Sequence, residues 1–151
     1  MPITDPTILR IGEATQLNHS GKREAAREMF ASIWDEIGGE QGDPLHRCVV
    51  AHSMADAQDD VRDELLWDQR ALEAAPLITD ERQAEAGVEM PVAALYPSLH
   101  LNLAECYRKI GDLDSAREHV AQAEATIGTL GDDAYGQLIR SGLDRLVGLL
   151  G

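Results

Sequence analysis

The most constraining feature of the chain is a segment that occurs twice. From His100 to Ala125 it reads HLNLAECYRKIGDLDSAREHVAQAEA: a helical stretch, a tight turn at Ile110-Gly111-Asp112, and a second helical stretch. Ninety residues earlier, Ala14, Leu17, Gly21, Ala26 and Phe30 hold the places of Ala104, Tyr107, Gly111, Ala116 and Val120. Two antiparallel helices cannot bury their apolar faces alone, so a repeated helix pair implies stacked pairs sharing one core. The small residues serve close approach, because helices come near one another only where Ala104, Ala116 and Ala123 stand between them.

The spacing resembles the tetratricopeptide repeat, a 34-residue helix-turn-helix unit with small, aromatic and turn-glycine landmarks. His100 and Val120 stand where that family usually carries aromatics. A third copy is marked by Ala71-Leu72 followed by Pro76, which matches the closing part of the repeat. The resemblance implies an all-α fold: a right-handed superhelix of three units, near 7–40, 45–76 and 97–128, within one domain spanning 1–151. Residues 77–96 would be an insertion and 133–149 a C-terminal capping helix. The runs HRCVVAHSMADAQDD and YPSLHLNLAECYRKIGDLDSAREH are also similar to small bacterial tetratricopeptide proteins, notably of actinobacteria, a likeness that brings no activity with it.

Periodicity agrees with helices throughout, since apolar residues recur at three- and four-residue spacing and sustained alternation is absent. Helices are predicted near 5–19, 22–37, 44–57, 61–75, 97–110, 113–127 and 133–149. Asp5-Pro6 and Asp43-Pro44 each set a capping carboxylate before a proline suited to the first turn, and Asp112 caps another start. Gly21, Gly38-Gly39, Gly111 and Gly131 mark stops. Cys48 and Cys106 sit inside helical stretches and read as buried free thiols. The first twenty residues hold no apolar run of signal-peptide or membrane-spanning length, which points to a cytoplasmic protein.

By the pattern of the family, first helices of each unit line a concave groove that receives a peptide or a partner helix. The groove candidates are Ile8, Ile11, Thr15, Asn18 and His19 in the first unit, His46, Val49, Ser53 and Asp56 in the second, and Leu101, Asn102, Glu105, Arg108 and Lys109 in the third. Related domains that grip carboxylate-ended tails use Lys, Asn and Arg here. The corresponding slots hold Ile11, Thr15, Val50, Ser98 and Asn102, so that clamp is not expected.

The middle unit breaks the pattern at its tight contact, where His52 and Glu64 replace small residues and Asp68 replaces an aromatic. Ionisable groups among Val49, Val50, Met54, Leu65 and Trp67 should pair, His52 with Glu64 or with Asp56. This polar interior is either a structural network or, as an alternative function, a small-molecule or metal site. His46, Cys48 and His52 do not make a zinc set, because only the last two are a helical turn apart and no further ligand pair is present. No metal, cofactor or catalytic motif is implied, and no enzyme is expected. His19 reads as a turn residue, His100 as a packing residue and His119 as a surface residue.

Charge completes the expectation. The chain carries 13 Lys and Arg against 27 Asp and Glu, a net −14, which argues against nucleic acid and anionic membrane surfaces. Residues 45–96 hold four Arg against eleven acids, half of the excess. The expected function is therefore a protein-interaction module for a protein or peptide of basic character, binding less tightly as salt rises. The insertion, from Leu77 to Tyr96, is a second recognition candidate, with a short helix from Thr79 to Ala86. The last helix shows an apolar stripe of Tyr135, Leu138, Ile139, Gly142, Leu143, Leu146, Val147 and Leu150, read as a cap. The other use of that stripe is a homodimer contact, so the chain is expected as a monomer or weak homodimer.

Overall fold

A computed structural model describes residues 3–151. Eight α-helices and four short 3-10 turns account for its regular structure, and the described residues include no strand. The helices are α1 (Pro6–His19), α2 (Arg23–Glu36), α3 (Pro44–Asp56), α4 (Val61–Ala74), α5 (Asp80–Glu85), α6 (Tyr96–Ile110), α7 (Leu113–Thr126) and α8 (Ala134–Leu150). The chain divides into two compact units, one running to Val92 and the other from Ala93 to Gly151. The division falls inside the expected insertion.

Local chemistry explains where the helices begin. Asp5 accepts hydrogen bonds from the Thr7 and Ile8 amides, and Asp43 from those of Leu45 and His46, so each satisfies donors that a first helical turn leaves open. Asp60, Thr79, Asp112 and Asp133 cap α4, α5, α7 and α8 in the same way. The two repeated turns close alike. Gly21 and Gly111 take left-handed φ values of 84° and 96°. The Lys22 amide then reaches the Leu17 carbonyl, and the Asp112 amide the Tyr107 carbonyl, both at 2.9 Å. Gly131 does not adopt the left-handed form expected of a stop. It instead presents its carbonyl to the first turn of α8, where a Cβ on Gly136 would lie 2.1 Å from that oxygen.

In the first unit, α1 pairs with α2 and α3 with α4, and α3 also packs on α1 and α2. Ala14, Ala26, Phe30, Ile33, Val50, Ala51, Ala55 and Ala71 are fully buried there. The alanines set the approach of the helices, while the ring of Phe30 contributes roughly 1.5–3 kcal/mol by leaving water. In the second unit α6 pairs with α7, and α8 lies against both. Ala104, Val120, Ala123, Leu143 and Leu146 form its core, with Leu101, Ile127 and Leu150 packed on it. Ala104 and Ala116 are buried as completely as Ala14 and Ala26, their counterparts ninety residues earlier.

Candidate functional site

Neighbouring α1 and α3 carry most of the groove candidates of the first unit, but the structure divides them by depth. Ile8 and Ile11 are buried, Ile11 at 2% exposure, so they belong to the core and not to an open groove. α1 packs against both α2 and α3, and α5, from the insertion, meets the chain just before α1: the Thr4 amide donates to the Ala86 carbonyl at 3.1 Å, and Gln83 and Ala86 are themselves buried. Toward the other end of the two helices, Thr15, Asn18, Val49 and Ser53 are half-buried and His19 and Asp56 exposed. Asn18 Nδ2 donates to the Asp56 carbonyl at 3.3 Å, tying the ends of α1 and α3 together.

The insertion is held by a polar cluster that the sequence did not suggest. Arg82 donates through Nη2 to Asp5 Oδ2 and through Nε to Asp43 Oδ2, each at 2.9 Å. His46 Nε2 lies 3.0 and 2.9 Å from the two oxygens of Asp5, which assigns the hydrogen to that nitrogen. Burial by itself would raise the pKa of both Asp5 and Asp43. Hydrogen bonds from Arg82, from His46 to Asp5, and from the helix amides outweigh it, holding both carboxyls below their ordinary range. Arg82 is correspondingly held above its usual value, first by its bond to Asp5 and then by that to Asp43.

In the middle hairpin the carboxylate facing His52 is that of Asp68, with Nδ1 and Oδ1 3.6 Å apart. Asp56, one of the expected partners, acts on the same ring through its charge. Asp68 is only 1% exposed, so its charge acts in a weakly screened setting. Burial opposes a charge on His52, but the hydrogen bond and charge of Asp68, with the charge of Asp56, raise it above 6.5. The surrounding acidic surface is partly occupied from within the chain. Asp59 meets Arg23 at 2.9 Å and Arg27 at 2.8 Å, Asp60 caps α4, and Asp80 accepts from the Val92 amide. Asp63, Glu81, Glu85 and Glu89 remain exposed.

Elsewhere in the first unit, a further grouping absent from the expectations joins α2 to α4. Trp34 and Trp67 meet edge to face at 5.1 Å, and the Arg70 guanidinium sits 4.5 Å from the centre of the Trp67 ring. Neither tryptophan lies at a repeat landmark, so spacing could not pair them.

The second unit treats its groove candidates differently. Leu101 packs into the core beneath α8, and its Cδ2 would meet a Cβ on Gly142 at 3.0 Å. Glu105 and Arg108 form a two-pronged pair at 3.0 and 2.7 Å, with Arg145 of α8 at 4.0 Å from Glu105. Asn102 is half-buried and Lys109 exposed. Leu101 and Glu105 thus face α8 from α6. His119, read as a surface residue, is half-buried and in ring contact with both Tyr107 and His100. His100 is buried as expected, and both thiols are buried, that of Cys48 being pushed up to about 12 by desolvation.

No protein-family model, curated protein or solved structure matches the chain. None of its described helices is long and apolar enough to cross a membrane.

Proposed function

We propose that the chain is a tetratricopeptide-like interaction module with three repeats in a right-handed superhelix, which binds a peptide or partner helix of basic character. The binding face of the first unit is the part of α1 and α3 left open beside the insertion: Thr15, Asn18, His19, Val49, Ser53 and Asp56. The observation that carries this reading is the ordered pairing of those two helices, joined at one end by Asn18 and the Asp56 carbonyl and met at the other by α5. Adjacent helices of this kind offer a side-chain surface without moving their backbones, which keeps the ordering cost of binding low.

Charge supports the choice of partner. Asp56 is exposed at the end of the face, and Asp63, Glu81, Glu85 and Glu89 are exposed within the same −7 stretch. A basic partner would gain on-rate from this field, and lose it as salt shortens the screening length to about 8 Å at physiological strength. Fluorescence anisotropy with a labelled basic amphipathic peptide tests it. Saturable binding that weakens with salt and is cut by Asp56→Lys is expected; salt-independent binding, or none, contradicts the proposal.

A second reading starts from His52 and Asp68, 3.6 Å apart, and takes them with Glu64 as the lining of a site for a small ligand or a metal ion. It is distinguished by a metabolite or ion that copurifies with the protein and is lost in Asp68→Asn.

A further inference from the structure

The carboxylates of Asp5 and Asp43 converge from the starts of two different helices on one guanidinium, and that guanidinium belongs to the insertion. Three features bear on what this arrangement recognises. Both carboxylates are positioned without Arg82, because each is fixed by two amides of its own helix: Asp5 by Thr7 and Ile8, Asp43 by Leu45 and His46. The bonds that Arg82 makes run through Nε and Nη2, which a planar fork supplies and an ammonium does not. His46 stands beside the guanidinium, its Nε2 within 3.0 Å of both Asp5 oxygens and 3.3 Å from Arg82 Nη2.

The insertion that delivers Arg82 is docked at a cost. Gln83, the next residue of α5, is buried, and its Oε1 finds no hydrogen-bond partner among the described residues, although its Nε2 donates to the Met90 carbonyl at 3.0 Å. A buried amide oxygen left unbonded recovers its hydration when the segment lifts away. The contacts of this segment fall at Thr4, Asp5 and Asp43, at the starts of α1 and α3, the helices that carry Thr15, Asn18, Ser53 and Asp56 further along.

We propose that the Asp5–Asp43 pair, with His46 beside it, is an arginine-binding subsite of the partner surface, and that Arg82 fills it as an intramolecular competitor carried by the insertion. A partner arginine takes the same two carboxylates, α5 is displaced, and the face lengthens toward the starts of α1 and α3. The inference rests on the basic-partner reading above and adds to it the side chain recognised and the segment that regulates access.

The test uses the full chain and two probes, N-acetyl-arginine amide and N-acetyl-lysine amide, at matched ionic strength, followed by NMR at the Thr7, Leu45 and His46 signals. In Arg82→Ala the arginine probe should bind saturably and at least about tenfold more tightly than the lysine probe; wild type, with its own competitor, should bind it at least about tenfold more weakly than the variant. Adding Asp5→Asn and Asp43→Asn should abolish the effect, since asparagine preserves helix capping while removing the charge. Arg82→Gln, which keeps a long polar stem on α5, replaces Arg82→Ala if circular dichroism shows lost helix. Equal response to the two probes, or no response in either variant, overturns the proposal. A basic peptide that binds wild type and the Asp5→Asn/Asp43→Asn double variant equally leaves the interaction reading standing and removes the subsite. Arginine binding to Arg82→Ala with no peptide binding to any form does the reverse.

Discussion

The Nδ1 atoms of His100 and His119 lie 3.0 Å apart, with the two rings tilted by 27° and their centres separated by 5.2 Å. The centre distance is the nitrogen separation plus a ring radius at each end, so the rings meet nitrogen to nitrogen through one hydrogen bond. One ring donates and the other accepts, which leaves no place for a second proton between them. Burial first, and then the neighbouring His119, bring His100 down to about 4, and burial lowers His119 too.

Unfolded histidine takes up its proton near 6.5, while the folded pair resists it, so the unfolded state binds more protons as acidity increases. Stability should fall as pH drops from 6.5 toward 4, by on the order of 2–3 kcal/mol, and level off below the folded value. Urea unfolding midpoints across that window check this. Replacing both histidines with phenylalanine should flatten the slope, and an unchanged slope would refute the assignment.

His52 should behave in the opposite sense. Its folded value is raised by Asp68 despite burial, so the stability it contributes is complete below 6.5 and is lost as pH rises through the folded value. A ring titration by NMR should place His52 above 6.5, and Asp68→Asn should lower it. Because Asp68 is almost fully buried, the same variant should destabilise the protein by about 1–3 kcal/mol.

Gly21 and Gly111 provide a separable test of the repeated turn. Nothing lies within 4 Å of a Cβ built on either, so an alanine there meets no clash and bears only the conformational penalty of a left-handed backbone. Each Gly→Ala change should cost about 1–2 kcal/mol in thermal or urea unfolding. Gly136→Ala should cost more, because its Cβ would press on the Gly131 carbonyl.

Much of the helical layout was legible in the sequence because it is written locally. Asp5-Pro6, Asp43-Pro44, Gly21 and Gly111 act within a turn of themselves, and the observed helices begin or end beside them. Thr79 likewise announced α5. What the sequence hid depends on contacts between distant segments. Ile11 reads as a groove residue by repeat register, yet it is core, on a helix that packs against both α2 and α3. Asp5 and Asp43 are visible as caps, but nothing near them in sequence says that Arg82, 77 residues beyond Asp5, joins them. His119 looked like a surface residue because helical spacing does not reveal a ring from the facing helix. The Trp34 and Trp67 contact is hidden for the same reason.

The core alanines separate packing from surface effects. Ala26 and Ala116 are fully buried at equivalent places in the two units, so Leu at either should overpack its hairpin and cost about 1–3 kcal/mol. Leu138→Ala should change stability little, since that side chain is 67% exposed.

The most direct measurement is an NMR perturbation map of the full chain with an arginine-containing basic helical peptide, recorded at low and at raised salt. The account predicts shifts centred on Thr15, Asn18, Ser53 and Asp56, extending to Thr7 and Leu45 as α5 is displaced, and fading as salt is added. Shifts confined to other surfaces, or a map that salt leaves unchanged, would contradict it.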